Sequence, residues 1–395
     1  MTRPGPERLQ DATLLLAFAS LGAVGAAIPA SLPGTAARLG VAAGDLLPGV
    51  SLLFLGLFVG VVVVAIPRRG NAATLLWIGC GLETVGLLAV AWAPSVAAFF
   101  AAALLTGIGF GLTEASATAL TRARSSHGTP ARLSRLNGAS AVAAAVAPLL
   151  LLPAPPALVW APLAAVSLVP AGAAVVGRSA RMAWPTVPTV TRAPRPPSAA
   201  ARRMWPLAAA LFLFVGAETI LSGWSSTLPT ALLELPAGAA VAGTTVFWVL
   251  MAGGRFACTA ILARGVRPRV YLGTSFALAV VLALLGALIG EGVGAALLVA
   301  AVVACVAPGY ALLLGSALLV APSETAARTA SALVAVGAAG GSVLSFAVAA
   351  TVGTEPTAVL LAVAALLAAS VAVGSAGRDP ERRTPVRRAA GRRAR

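Results

Sequence analysis

Four ionisable side chains lie inside long apolar stretches of this sequence, and they are the residues best placed to do chemistry: Glu83, Glu114, Glu218 and Arg255. An ionisable group in apolar surroundings is costly, so it is expected to have a partner or a function. Glu218 lies about twelve residues into its apolar stretch. Burial there favours the neutral acid, which a proton-binding carboxylate needs. We therefore predict that Glu218 binds a proton or a solute, the alternative being a structural acid hydrogen-bonded to a neighbouring helix.

The other three ionisable residues support different predictions. Glu114 precedes Arg122 by eight residues, which places it toward one end of its stretch. Glu83 is near the middle of its stretch, where it could act in the solute pathway or as a packing or gating acid. Arg255 precedes Arg264 by nine residues, too deep to reach a membrane surface easily. It therefore needs a counter-charge from a nearby helix, and it could serve a gate as well as a solute.

Trp224, six residues after Glu218, is a further candidate for this site. An indole offers a flat apolar face and one N–H donor. We predict that it forms a wall of a solute cavity.

Composition indicates where these residues lie. Hydrophobic residues make up 59% of the 395 residues, charged residues only 10%, and the mean hydropathy is +0.95. Such a chain has too little polar surface for a water-soluble globule and belongs in a lipid bilayer. All 28 basic residues are arginines, against 12 acids. They lie between apolar stretches and at the C-terminal end, which indicates membrane topology rather than binding of nucleic acid.

The same inspection argues against an enzyme. The one histidine, His127, lies in a polar loop beside serines, and the three cysteines lie in apolar stretches without metal-type spacing. No acidic pair and no phosphate-binding glycine loop is present. We therefore predict no cofactor, no metal and no catalytic site.

Twelve apolar stretches are long enough to cross a bilayer as helices, which takes ~20 residues each. They lie at about 11–33, 46–66, 72–93, 95–120, 132–152, 156–177, 206–229, 240–263, 270–290, 294–320, 329–352 and 356–377. Arginine collects in every second connection, so both termini are predicted to be cytoplasmic. We expect an N-terminal six-helix bundle at 1–177, a basic cytoplasmic linker at 178–205, a C-terminal bundle at 206–377 and a basic, disordered tail at 378–395.

Internal repetition supports two related halves. Displacing the sequence by 196 residues aligns Phe18 with Phe214 and Pro33 with Pro229. It also aligns Arg68 with Arg264, at the ends of the second and eighth stretches. Arg132 likewise aligns with Arg328, at the starts of the fifth and eleventh stretches. The pattern predicts a duplicated six-helix unit.

Three local motifs sharpen this prediction. They are Gly107-Ile108-Gly109-Phe110-Gly111 followed by Glu114, Gly216-Ala217-Glu218 followed by Trp224, and Phe247-Trp248 followed by Gly254-Arg255. With twelve spans and a basic middle loop, the chain resembles the major facilitator superfamily, in the sugar-permease branch related to fucose permeases. The resemblance implies an all-α membrane fold of two pseudo-symmetric six-helix bundles, and it adds weight to a functional role for Glu114.

The resemblance also implies a cytoplasmic gate after the second span. The family pattern there is Gly-x-x-x-Asp-Arg-x-Gly, which Arg68 and Gly70 match, whereas Val63 and Pro67 replace the first glycine and the acid. The usual charge-assisted latch is therefore incomplete.

These features predict a monomeric secondary transporter in the cytoplasmic membrane that moves a small solute by alternating access. A proton is the expected coupling ion and a sugar-like compound the favoured solute. Two alternatives stay open: a proton-driven efflux pump for drugs or secreted metabolites, and a membrane sensor or scaffold with the same fold that does not transport.

Overall fold

The computed structural model describes residues 6–66, 72–124, 129–151, 158, 160–180, 198–236, 239–320 and 326–376. Arg68 and Gly70 of the predicted gate lie outside these ranges, as do 181–197 of the predicted linker and the tail from residue 377. Helices extend into both ends of the predicted linker, since one continues to Ala180 and the next begins at Ser198.

The described part of the N-terminal half contains six α-helices and two short 3₁₀ turns. The helices are α1 (Pro6–Leu39), α2 (Pro48–Ala65), α3 (Ala72–Ala91), α4 (Val96–Arg124), α5 (Thr129–Val146) and α6 (Trp160–Ala180). The 3₁₀ turns, Ala43–Leu46 and Ala147–Leu150, precede α2 and extend α5. The face of the bundle at which α1 begins is called proximal here, and the face at which α1 ends is called distal.

The described part of the C-terminal half contains eight α-helices, because two crossings are divided. They are α7 (Ser198–Gly223), α8 (Leu228–Leu233), α9 (Ala240–Ala263), α10 (Pro268–Ile289), α11 (Gly292–Val306), α12 (Gly309–Val320), α13 (Ala326–Thr351) and α14 (Pro356–Ala376). The predicted seventh span divides into α7 and α8, and the predicted tenth into α11 and α12.

Eleven helical segments of the described chain are long and apolar enough to cross a membrane, and Leu136–Leu150 is a shorter apolar segment in the place of the fifth span. Large apolar side chains cover the outside; Leu288 is 82% exposed and Leu319 is 87% exposed. Lipid rather than water suits such a surface. The chain is a multi-pass, all-helical membrane protein, as predicted.

Helix contacts repeat between the two halves. In the N-terminal half, α1 packs on α5 and α6, α4 packs on α2 and α3, and α3 packs on α6. In the C-terminal half, α7 packs on α13 and α14, α11 packs on α9 and α10, and α10 packs on α14. These pairs correspond one to one, so the predicted duplication of a six-helix unit is confirmed.

Glycines set the close packing of α4 against both of its neighbours. A Cβ added at Gly107 would overlap the carbonyl oxygen of Leu53, and one at Gly111 would overlap that of Leu57, both on α2. Gly109, on the other side of α4, would likewise meet the backbone of α3, with a Cβ only 2.6 Å from the nitrogen of Glu83. Small residues allow this approach, which supplies much of the attraction between helices in lipid. The glycine-rich motif thus holds α4 between α2 and α3.

The two halves meet along α2 and α13, and again where α9 packs on α1 and α5. Hydrogen bonds near the distal face join them. The hydroxyls of Ser51 on α2 and Ser345 on α13 lie 2.7 Å apart. Ser226, just before α8, donates a hydrogen bond of 2.9 Å to the carbonyl of Pro29 in α1. Neutral hydrogen bonds and small side chains therefore hold this end together.

The tenth crossing breaks at Ala307 and Pro308, between α11 and α12. Proline has no N–H, so the carbonyl of Ala304 loses its usual helical donor. Ser275 of α10 donates to the neighbouring carbonyl of Cys305 at 2.6 Å. A side chain from another helix thus donates a hydrogen bond to a backbone carbonyl group at the break.

The close packing at α4 predicts a large difference between two glycine-to-alanine substitutions. Gly107→Ala should lower the thermal unfolding temperature in detergent, because overpacking of this kind costs about 1–3 kcal/mol. Gly81→Ala in α3 is the matched control, since a Cβ there meets nothing within 4 Å. Alanine favours a helix over glycine by roughly 0.5–1 kcal/mol, so Gly81→Ala should be neutral or stabilising. Equal effects at both positions would contradict the packing described for α4.

Candidate functional site

An ion pair joins α7 and α9 inside the C-terminal half. The Nη2 atom of Arg255 lies 3.8 Å from the Oε1 atom of Glu218, so the predicted counter-charge for this arginine is confirmed. Arg255 also donates from Nε to the carbonyl oxygen of Ala307 at 3.2 Å. The guanidinium therefore connects the acid on α7 to the break between α11 and α12.

Both members of this pair are partly accessible. The Glu218 side chain is 18% exposed and that of Arg255 is 42% exposed. A separation of 3.8 Å is longer than a direct charge-assisted hydrogen bond, which is ~2.7–2.9 Å. The two side chains therefore form an ion pair without a direct hydrogen bond.

Tyr310 is a further polar residue within electrostatic range of this ion pair. It is the second residue of α12, directly after the break, and it interacts electrostatically with both Glu114 and Glu218. Glu114 comes from α4 and Glu218 from α7, so one carboxylate of each half lies within electrostatic range of the same phenol. Both acids are half-buried.

Glu83 lies elsewhere, inside the N-terminal bundle. It is fully buried, and neither carboxylate oxygen has a hydrogen-bond partner among the described residues. The hydroxyls of Ser20 on α1 and Thr113 on α4 are close enough to act on it, without meeting the geometry of a hydrogen bond. Tyr310 interacts with Glu114 and Glu218 but not with Glu83, so the structure separates Glu83 from the other two acids.

The structure does not support the prediction that Trp224 forms a cavity wall. Its side chain is 0% exposed, and its indole N–H donates to the carbonyl oxygen of Gly353 at 2.7 Å. Trp224 directly follows α7, and Gly353 lies in the connection between α13 and α14. The one polar atom of the indole is therefore used to fix the distal end of the C-terminal bundle and is not available to a solute.

Two residues gain importance from the structure. Trp248 precedes Arg255 by two helical turns on the same side of α9, and its indole nitrogen has no hydrogen-bond partner among the described residues. Tyr310 was not expected from the sequence, although it is one of only two tyrosines and directly follows Pro308-Gly309 in an apolar stretch. That dipeptide, typical of a broken helix, was the signal that could have indicated it.

The site thus combines two carboxylates, a phenol and an arginine, and the unpaired indole N–H of Trp248 lies two turns away on the helix that carries the arginine. Carboxylates can gain or lose protons, while the phenol, guanidinium and indole can hydrogen-bond hydroxyl or carbonyl oxygens. Within the described ranges no three or more His, Cys, Asp or Glu side chains are grouped as a metal site requires. The chemistry available is proton binding together with hydrogen bonding to a polar solute.

Comparisons with known proteins identify the fold. The sequence matches no protein-family model and no curated protein. Solved structures are similar over nearly the whole chain. The nucleoside transporter NupG has a TM-score of 0.66 and 13% identity, covering 93% of this chain and 98% of its own.

Two further transporters share the architecture. The E. coli fucose:proton symporter FucP has a TM-score of 0.60 and 17% identity, covering 93% of this chain and 98% of its own. An inward-facing, unoccupied bacterial homologue of the human lysosomal transporter Spinster has a TM-score of 0.64 and 13% identity, covering 95% of this chain and 96% of its own. The chain therefore has the major facilitator fold, as the sequence motifs predicted.

The burial of Trp224 predicts a structural role that can be measured. Trp224→Phe should lower the free energy of unfolding by about 1–3 kcal/mol, because it removes a buried hydrogen bond and leaves a gap. Trp205→Phe is the control, since Trp205 on α7 is 72% exposed. Thermal unfolding of the two variants in detergent would show a lower midpoint for Trp224→Phe alone. An unchanged midpoint for Trp224→Phe would contradict this role.

Proposed function

We propose that this protein is a secondary transporter that moves a small polar solute by alternating access, coupled to protons. The observation that carries the proposal is that a carboxylate of each half, Glu114 and Glu218, acts electrostatically on the same phenol, that of Tyr310. A site built from both halves changes shape when the halves rock against each other. The similar structures include a nucleoside transporter and a fucose:proton symporter, which supports a hydroxylated solute and a proton.

The contacts between the halves support a direction of access. Ser51 bonds Ser345, and Ser226 bonds Pro29, near the distal face. In this state the solute would reach the site from the proximal face. Arginine is abundant in the proximal connections, so this face is the cytoplasmic one in our proposal, with both termini on that side of the cytoplasmic membrane. We further propose that the transporter works as a monomer.

The proposed coupling is a competition for Arg255. With Glu218 ionised, Arg255 is held between this carboxylate and the carbonyl of Ala307. A proton on Glu218 removes the charge that attracts the guanidinium, and Arg255 can then donate to a hydroxyl or carbonyl oxygen of the solute. Solute binding and protonation would therefore favour each other.

Several unused donors support a sugar-like or nucleoside-like solute. The indole N–H of Trp248 and the hydroxyls of Thr219 and Thr245 are buried without hydrogen-bond partners among the described residues. Leaving such groups unpaired is costly, so a solute rich in oxygen atoms would gain by supplying acceptors. Trp248 and Thr245 lie on α9 and Thr219 on α7, the helices that carry the ion pair.

Glu218→Gln should uncouple transport from the proton gradient. In proteoliposomes, tritiated uridine and tritiated fucose serve as probes, and a pH gradient should drive their accumulation by the wild type. The Gln variant should lose this accumulation by tenfold or more, while solute exchange without a gradient continues. Glu234→Gln is the control, since Glu234 is an exposed acid after α8.

The outcomes of this assay distinguish the possible functions. Unchanged accumulation by Glu218→Gln would contradict the proton assignment. Gradient-driven extrusion of hydrophobic drugs, without uptake of either probe, would indicate an efflux pump. Solute-dependent thermal stabilisation without any flux would indicate a sensor.

The two tyrosines offer a matched test of the site. Tyr310→Phe removes a hydroxyl on which both carboxylates act electrostatically, and it should weaken apparent solute affinity about tenfold, the effect expected for one hydrogen bond to a charged or polar partner. Tyr271→Phe, on α10 away from the carboxylates, should leave affinity unchanged. Concentration-dependent uptake by both variants measures this difference. Equal affinities for the two would exclude Tyr310 from the solute site.

A further inference from the structure

A groove opens on the outer surface of the C-terminal half, away from the proposed solute site. It has a volume of about 370 Å³ and lies between α9, α10 and α11. Gly253 and Ala257 line it from α9, and Thr274 and Leu278 line it from α10. All four residues are exposed, so the groove faces the surrounding lipid. Arg255 is about 200° around α9 from Gly253, at 100° per residue.

The groove is apolar where an acyl chain would lie, although hydroxyl residues line it. The Thr274 hydroxyl donates to the carbonyl of Val270 at 2.9 Å, within its own helix. Ser275, another lining residue, donates to the carbonyl of Cys305 across the groove at 2.6 Å. Because these hydrogens are already used, the walls present mainly hydrocarbon to a ligand.

Two arginines lie at the proximal end of this groove. Arg264 is the first residue after α9 and follows Ala257 by seven residues, as Ala257 follows Gly253 by four, so all three are on one side of α9. Arg267 immediately precedes α10 and lies four and seven residues before Tyr271 and Thr274, so it is on their side of α10. Both arginines are exposed, in a tight turn between two membrane-crossing helices. No acidic residue occurs in the sequence from 235 to 290, so neither helix of this hairpin supplies a carboxylate to neutralise them.

We propose that this groove binds an anionic phospholipid, with its phosphate between Arg264 and Arg267 and one acyl chain between α9 and α10. Guanidinium groups match phosphate oxygens in charge and geometry, and basic pockets between membrane helices suit anionic headgroups. Tyr271 lies one helical turn from Arg267 and Ala257 lies two turns from Arg264, so the groove begins ~6 Å below the first arginine and ~10 Å below the second, at 1.5 Å per residue. These separations are appropriate for the glycerol region of a lipid. The site is independent of the proposed transport function.

The test uses the full-length protein in nanodiscs of palmitoyl-oleoyl phosphatidylcholine with and without palmitoyl-oleoyl phosphatidylglycerol. Native mass spectrometry should show that the wild type retains phosphatidylglycerol about tenfold more than phosphatidylcholine. The double variant Arg264→Gln with Arg267→Gln should lose this preference. The matched control combines Arg269→Gln with Arg393→Gln, which removes the same charge. Arg269 lies in the first turn of α10, next to this connection, but lines a different depression, against Leu207 and Ser370, so the control should keep the preference.

Two further arms separate the headgroup from the acyl chain. Gly253→Leu should fill the groove without disturbing packing, because a Cβ at Gly253 meets nothing within 4 Å. It should reduce retention of phosphatidylglycerol severalfold although both arginines remain. Soluble glycerol phosphate should not displace the lipid. A preference that survives in the double arginine variant, or is lost equally in the control, would overturn the proposal, as would full retention by Gly253→Leu or displacement by glycerol phosphate.

Discussion

Close approach of helix backbones at glycines is the constraint on which the site depends. In lipid there is little hydrophobic force between helices, so packing relies on contact between surfaces that small residues make possible. Each charged residue of the site follows such a glycine within three positions: Glu114 follows Gly111, which packs on α2, and Arg255 follows Gly254, which packs on Ala304 of α11. Glu218 follows Gly216, where a Cβ would overlap the side chain of Leu344 of α13. In each motif, a glycine that allows close helix packing is thus followed by the charged side chain that the packing positions.

Sequence patterns predicted the architecture well because lipid imposes strong and local rules. A helix that crosses a bilayer must be long and apolar, and arginine distribution orders the connections. The duplication was visible in only four aligned residue pairs, yet the two halves repeat the same helix contacts. Helix ends were less predictable. The first span was predicted as 11–33, whereas α1 continues from Pro6 to Leu39 through Pro29 and Pro33, because neighbouring helices support a proline-containing helix that sequence alone would end.

The site was predicted in part, and the limits have physical causes. Charged residues are conspicuous in apolar stretches, so Glu114, Glu218 and Arg255 were identifiable, as was the need of Arg255 for a counter-charge. Burial of Trp224 could not be predicted, since its partner Gly353 is 129 residues away and supplies a backbone carbonyl. The place of Tyr310 depends on the break at Pro308, which redirects α12. Long-range geometry, rather than residue type, decided both outcomes.

The distal junction and the ion pair have complementary energetic properties. Ser51 and Ser345 join the halves through a neutral hydrogen bond, and such bonds contribute only ~0.5–1.5 kcal/mol each. A junction of this kind opens without separating charges in a medium of low dielectric constant, which would be far more costly. The charges are instead kept within the C-terminal half, where Arg255 can exchange Glu218 for another partner while it retains the carbonyl of Ala307. In the proposed cycle, protonation therefore acts on a pair that need not cross the interface between the halves, and the interface itself can open and close at small energetic cost.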